Sequence, residues 1–171
     1  MTSTSKQAAR RKARVKALQA LYQWDLNLEA GNDPDAPAIR RQFIDTQDMQ
    51  GVDQECFDNL LLGSIDTLAE LDKSLEDALD RKIVELDPIE RSVCRLGAYE
   101  LAHQLDVPLR VVINEWVEVS KRFGSDQGYK YVNGVMDKLG AQLRALEFKA
   151  LKKTSKKKSA DEAAGSGGGG K

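Results

Sequence analysis

The sequence is poor in the features that mark membrane and secreted proteins. It has two cysteines, four prolines and a single histidine in 171 residues. No apolar run approaches the roughly 18 consecutive residues that a membrane-spanning helix needs. The basic N-terminus also lacks the continuous apolar segment, about 7–15 residues long, of a secretory signal. We therefore expect a protein that lies in the cytoplasm and does not bind a membrane.

The sequence is equally poor in residues that could hold a metal ion or perform catalysis. Cys56 and Cys94 have only His103 to complete a ligand set, which falls short of the four ligands of a structural zinc site. Their spacing fits no disulfide framework, so we expect two reduced, structural thiols. No nucleophile accompanies His103 in a recognisable motif. The sequence predicts no enzymatic activity, no metal and no other cofactor.

Charge is present in abundance but is unevenly distributed. Residues 1–16 carry six basic side chains and no acidic one, whereas residues 17–148 carry 13 basic and 25 acidic side chains. A cationic segment on an acidic body predicts an arm that binds a polyanion. Its arginines, Arg10, Arg11 and Arg14, have the planar fork that matches a phosphate. The alternative is a basic helix face that only contacts water.

Apolar residues recur at helical spacing, and no convincing strand alternation appears. Val15, Leu18 and Tyr22 mark one face of a first helix, which the turn residues 31–34 end. Further helices are expected near Ala38–Gln47, after Asp53, near Ser74–Leu79, after Asp87, after Pro108, and along a last stripe from Val132 to Leu146. The sequence thus predicts an all-α protein of about seven helices. Residues 1–150 form a single helical domain, and residues 151–171, rich in Lys, Gly and Ser, form a disordered tail.

The helix after Asp87 has the clearest start in the chain. Asp87 is a capping residue, Pro88 occupies the first helical position, and Glu90 follows three residues past the cap. Two apolar stripes on this helix predict that it is buried between neighbours on two sides. Glu100 lies on one of these stripes, and a buried carboxylate must find partners. We expect it to be hydrogen-bonded to a neighbouring helix.

Several separated motifs together resemble the NusB family of transcription antitermination factors. The N-terminal part of the resemblance lies in Ala9–Arg14 and Ala17–Trp24; the C-terminal part lies in Asp106–Pro108, Ile113–Glu115, Phe123–Gly124 and Tyr131–Lys138. The motifs occur in the order and spacing of the family. The resemblance spans about residues 8–146 and leaves out the tail.

The resemblance implies a fold and a function. The fold is all-α, with two perpendicular three-helix bundles and no catalytic activity. NusB proteins bind the single-stranded boxA element of leader and ribosomal RNA transcripts, as a heterodimer with NusE, a small-subunit ribosomal protein. The complex makes RNA polymerase resistant to termination, and contacts with the polymerase and with other Nus factors are indirect.

The resemblance also implies site residues. The RNA-contacting positions of the family are Arg10, Arg11, Lys12, Arg14, Gln127 and Tyr131, and the NusE-contacting positions include Tyr22 and Glu90. Gln127 stands where a relative has an acidic residue, and Tyr131 where it has Phe. A tyrosine keeps the aromatic face on which a base can stack. The alternatives are core packing for Tyr131 and helix capping for Glu90.

Two other functions fit the same residues. NusB-like domains occur fused to RNA cytosine methyltransferases, so the chain could steer RNA to a separate RNA-modifying enzyme. It could also be a protein-interaction module whose arginines serve only solubility. Binding of a short single-stranded RNA, with and without NusE, distinguishes these alternatives.

Overall fold

A computed structural model describes the backbone of residues 3–165 and the side chains of residues 4–155. This part of the chain contains eight α-helices, one short 3-10 helix at Ile83–Glu85, and no strand. The helices are α1 Ser3–Glu29, α2 Ala36–Thr46, α3 Gln54–Asp66, α4 Leu68–Glu76, α5 Pro88–His103, α6 Leu109–Phe123, α7 Gly128–Leu143 and α8 Ala145–Gly165. No helix of the described residues is both long enough and apolar enough to cross a membrane.

Helices α1, α2 and α3 form the N-terminal group. Fully buried alanines at positions 13, 17 and 20 give α1 a smooth inner face. Phe43 of α2 stacks on Phe57 of α3 with 6.2 Å between the ring centroids. Asp35 and Asp53 cap the N-terminal ends of α2 and α3 by accepting backbone N–H groups. The helix that was expected after Asp53 is therefore confirmed, and Asp53 caps it.

Helix α5 is the central helix, as its two apolar stripes predicted. Every residue from 91 to 98 is buried. The helix contacts α1, α3, α4, α6 and α7, and the last two pack on each other as well. The carboxylate of Asp87 caps α5 by accepting from the backbone N–H groups of Ile89 and Glu90. The predicted all-α fold is confirmed, with eight α-helices in the described residues where about seven were expected.

Two arginines of α5 lie in a buried ionic network that the sequence did not indicate. Asp25 of α1 accepts from Arg91 at 2.7 Å and from Arg95 at 3.0 Å. Arg95 also makes a two-pronged bond to Asp72 of α4, with both distances 2.8 Å. Hydrogen bonds among the charges of such a set offset the cost of removing them from water. The network joins α1, α4 and α5.

The helix boundaries differ from the prediction at two places. The helix after Asp53 ends at Asp66, and α4 runs from Leu68 to Glu76 where a short helix was expected near Ser74–Leu79. The break is at Thr67, whose hydroxyl donates to the carbonyl of Gly63 at 2.7 Å. The last predicted helix is interrupted at Arg144. Leu146, expected on its buried stripe, is therefore on α8 and 85% exposed.

Arg144 fixes the corner between α7 and α8. Its buried guanidinium donates to four main-chain carbonyls at the end of α5 and in the following loop, those of Glu100, Leu101, Gln104 and Val107. These bonds satisfy carbonyls that the end of a helix would otherwise leave unpaired. Glu147 completes the corner by accepting from the backbone N–H of Leu109 at 2.7 Å.

Helix α8 extends into the segment that composition predicted to be disordered. It is helical through Gly165, and the predicted domain boundary at residue 150 lies inside it. Phe148 and Leu151 pack against the core and account for the order of its first two turns. Leu151 is the last described side chain that packs there. Residues 166–171 of the predicted tail lie outside the described residues.

We expect deletion of residues 152–171 to leave the thermal unfolding of the domain almost unchanged, because both apolar anchors of α8 remain. The double variant Phe148→Ala, Leu151→Ala should instead lower the free energy of unfolding by about 2 kcal/mol, through lost apolar burial. Chemical denaturation of the full chain and the two variants measures both effects. A large loss on deletion alone would show that residues beyond Leu151 stabilise the domain.

Candidate nucleic-acid interface

A cationic groove lies along the outer side of α1. It has a volume of about 490 Å³ and runs between α1, the segment that precedes α3, and the C-terminal end of α6. Four cations line it, namely Arg11, Lys12, Lys16 and Arg122. Val15 and Val52 contribute an apolar surface, and Asp48 is the one acidic residue of the lining. Cations beside apolar surface suit a single-stranded nucleic acid, which offers phosphates and unstacked bases.

Arg11 is both exposed and held in place, which suits it to bind an anionic ligand. Its side chain is 64% exposed. Glu115 of α6 holds it through two bonds of 2.9 and 2.6 Å, and these bonds hold the pKa of Glu115 below its usual value. The pair uses two of the five N–H donors of a guanidinium, which leaves others for a phosphate. Glu115 therefore fixes Arg11 at the groove without exhausting it.

Lys12 also lies in the groove, where its ammonium group donates to the carbonyl of Gln50 at 3.1 Å. Sequence reasoning missed Lys16 and Arg122. Lys16 follows Lys12 by four residues, so helical spacing could have placed both on one face. Nothing in the sequence brings Arg122 beside α1, since it reaches the groove only through the packing of α6.

Arg10 turns away from the groove. Its guanidinium forms ion pairs with Asp53 at 3.7 Å and Asp106 at 3.4 Å, and it lines a separate polar pocket of about 250 Å³. Cys56 also lines this pocket, and burial raises the pKa of its thiol to about 12. The thiol is thus protonated at neutral pH. An RNA contact by Arg10 stays a prediction. A phosphate would have to compete with the carboxylates of Asp53 and Asp106 for its guanidinium.

Arg14 is a correction to the sequence analysis. We expected it to belong to an arm that binds a polyanion, but it is only 2% exposed. Its guanidinium makes a two-pronged bond to the fully buried carboxylate of Glu100, with the Nε to Oε2 distance 2.9 Å. The indole N–H of Trp116 donates to the same carboxylate at 2.8 Å. The expected hydrogen bonding of Glu100 to a neighbouring helix is confirmed, and the Arg14 guanidinium is held in the core by this carboxylate.

Tyr131 belongs to a second cluster, formed between α7 and the segment after α4. Its hydroxyl donates to Asp80 at 2.9 Å, and the Arg81 guanidinium lies 5.2 Å from the centre of its ring. Hydrogen bonds from Arg81 and Tyr131 lower the pKa of Asp80 to about 2. Burial and the bond to Asp80 raise the pKa of Tyr131 to about 12. Tyr131 packs partly against the core, as the alternative held, but its polar end is at the surface.

Residues near the start of α7 connect these features. Gln127 is exposed immediately before α7 and makes no side-chain capping bond. The ring of Tyr129 lies near two cations, 5.4 Å from the Lys121 ammonium and 6.0 Å from that of Lys130. Lys121 directly precedes Arg122 of the groove in the chain, so the Tyr129 ring lies near the C-terminal end of α6.

The two positions expected to contact a protein partner lie on different helices, Tyr22 on α1 and Glu90 on α5. Tyr22 lines a groove of about 480 Å³ between α1 and α2, together with Leu26 and Phe43. Glu90 does not make the reciprocal capping bond that was its alternative role. Its carboxylate accepts from the Ser125 hydroxyl at 2.8 Å and so joins α5 to the loop before α7.

Comparison with known proteins assigns this arrangement to a family. The model of the NusB family matches residues 11–141, which include the groove-lining cations and Tyr131. The chain belongs to the NusB family. The resemblance stated from the sequence motifs is therefore confirmed. The relatives are named as transcription antitermination proteins and not as enzymes.

Relatives and solved structures agree with this assignment. The chain is 50% identical over 143 residues to the "Transcription antitermination protein NusB" of Ralstonia nicotianae, covering 84% of this chain and 89% of the relative. It is similar to the structure of T. maritima NusB, with a TM-score of 0.69, 25% identity, and coverage of 82% of this chain and 96% of that one. A structure of NusB and NusE in complex with dsRNA gives a TM-score of 0.59 at 26% identity, covering 81% of this chain and 97% of that one.

The position of Arg14 leads to a prediction about stability. Replacing Arg14 with Ala leaves the Glu100 carboxylate buried without its cation, so the free energy of unfolding should fall by about 3–5 kcal/mol. Arg41→Ala is the control, because Arg41 is 63% exposed and its ion pair with Asp35 is exposed as well. The control should cost less than about 1 kcal/mol. Equal, small losses in urea denaturation would contradict the structural role of Arg14.

Proposed function

We propose that this chain is a non-catalytic transcription antitermination factor of the cytoplasm, which binds single-stranded boxA RNA together with NusE and makes RNA polymerase resistant to termination. The observation that carries the proposal is the groove lined by Arg11, Lys12, Lys16 and Arg122 on a protein whose body is acidic. A phosphate backbone is attracted to such a groove and repelled by most of the remaining surface.

The groove also suits RNA chemically. Sequence-specific RNA recognition uses unstacked bases, which need aromatic or apolar faces beside the cations that bind phosphates. Val15 and Val52 supply apolar surface within the groove. Tyr129 and Tyr131 supply aromatic rings near the start of α7. A structure similar to this chain contains NusB, NusE and dsRNA, which supports RNA and NusE as the ligands.

The salt dependence of RNA binding tests the groove. Each phosphate contact on a single strand contributes about −0.7 to the slope of log K against log salt concentration. The double variant Lys12→Ala, Lys16→Ala should therefore flatten the slope for a short boxA RNA by about 1.4. Fluorescence anisotropy over a salt series, with and without NusE, measures it.

The matched control is the double variant Arg41→Ala, Lys73→Ala, which removes the same number of positive charges from exposed positions of α2 and α4. It should leave the slope unchanged. Equal flattening in both double variants would show that RNA responds only to overall charge. No change in either would exclude the groove as the RNA site.

The bond between Glu90 and Ser125 allows a clean test of the partner surface. Glu90→Lys should abolish NusE binding, because it reverses a charge at the proposed interface. Ser125→Ala removes the same hydrogen bond but keeps the Glu90 carboxylate. It should bind NusE as the unchanged protein does. Isothermal titration calorimetry gives both affinities, and thermal unfolding checks that each variant is folded.

If Ser125→Ala loses NusE binding as fully as Glu90→Lys, then Glu90 acts by holding the loop before α7. If Glu90→Lys binds NusE normally, Glu90 is not part of the interface.

A further inference from the structure

We propose that Asp80, Arg81 and Tyr131 form a platform on which one RNA base stacks, with Asp80 as the residue that positions the other two. The inference rests on the proposed function, since it names a base-binding element for the same RNA. It adds Asp80 and Arg81, neither of which the sequence motifs indicated, and it gives the Tyr131 ring a defined companion.

The geometry of the cluster carries the proposal. Asp80 accepts from Arg81 through two bonds, of 2.9 and 3.2 Å. The oxygen that accepts the first of these bonds also accepts the Tyr131 hydroxyl at 2.9 Å. With its guanidinium carbon 5.2 Å from the ring centre, Arg81 lies over one face of Tyr131. One carboxylate thus sets the position of a guanidinium on an aromatic ring.

The exposure of the cluster leaves it accessible to a ligand. The side chain of Asp80 is 57% exposed and that of Arg81 is 50% exposed. Ion pairs this exposed contribute little to stability, while holding long side chains in one conformation costs entropy. Side chains that are ordered at the surface before a ligand arrives reduce the entropy lost on binding. The order of the cluster therefore favours a ligand.

The chemistry of the cluster selects a base over a phosphate. A guanidinium plane and an aromatic ring are both faces on which RNA bases stack. The positive charge of Arg81 is balanced by Asp80, whose carboxylate repels phosphates. The platform should consequently add affinity without adding to the salt dependence, in contrast to the cationic groove.

The location of the cluster agrees with an RNA that continues from the groove. Helix α7 packs against α6 on one side and α4 on another. Tyr129 lies near Lys121 of α6 and near Lys130. Tyr131 lies near Arg81, which follows α4. A strand that leaves the groove at Arg122 passes Tyr129 and rounds the start of α7 before it reaches the platform.

The experiment uses single-stranded boxA RNAs in which the fluorescent base 2-aminopurine replaces one base at a time, because stacking quenches its fluorescence. With the unchanged protein, we expect strong quenching at one position. Arg81→Lys keeps the charge but removes the plane, so it should abolish that quenching and weaken binding about tenfold. The slope of log K against log salt concentration should stay the same.

Asp80→Asn tests the positioning role. This change removes a negative charge, which by itself should favour RNA, yet we expect the quenching to fall because a neutral amide offers the Arg81 guanidinium one acceptor oxygen instead of two and holds it without an ion pair. Tyr131→Phe keeps the ring and should lose only part of the quenching. The control pair is Arg41→Lys and Asp35→Asn. These changes alter an ion pair of similar exposure at α2. They should change nothing.

Unchanged quenching and affinity in Arg81→Lys and Asp80→Asn would overturn the platform while leaving RNA binding intact. A flatter salt slope in Arg81→Lys would also overturn it, because Arg81 would then be a phosphate contact. Failure of the unchanged protein to bind any of the RNAs would overturn the proposed function itself. Thermal unfolding of each variant separates these outcomes from loss of folding.

Discussion

The buried carboxylate of Glu100 is the constraint on which the position of α1 depends. It is fully buried on the central helix and accepts hydrogen bonds from Arg14 of α1 and Trp116 of α6. A charge in this position is tolerated only when it is paired and hydrogen-bonded. The three helices must therefore meet in a register that brings these groups together. That register also sets which side of α1 faces outward and carries the cationic groove.

The N-terminal arginines show how one residue type serves different purposes as its exposure changes. Arg14 is buried and bound to Glu100, Arg10 is partly buried between Asp53 and Asp106, and Arg11 is mostly exposed beside Glu115. Separating the buried pair would leave charges without solvent, whereas the Arg11 guanidinium stays open to water while Glu115 holds it. Arg11 can therefore offer its remaining N–H groups to a phosphate without giving up its carboxylate partner. Burial thus divides a single cationic motif into structural and ligand-binding residues.

The acidic body restricts the proposed RNA path to the parts of the surface that carry cations. Between residues 17 and 148 acidic side chains outnumber basic ones by 25 to 13, so a phosphate backbone is repelled from much of the surface. The groove attracts the backbone by charge, while the platform of Asp80, Arg81 and Tyr131 offers a stacking face with balanced charge. Affinity and base recognition would then arise in different places, as is usual when phosphate contacts position a nucleic acid and base contacts specify it.

The sequence by itself determined the helical class, the cap at Asp87, the central position of α5 and the family, because helical spacing and capping are local and the motifs keep their register. It also indicated that Glu100 needs a partner. Only the tertiary structure decided that this partner is Arg14, that Arg122 joins the groove, and that Arg81 covers Tyr131. These outcomes depend on contacts between residues far apart in the chain, and the spacing of charges along one helix cannot show which charge a neighbouring helix will bury.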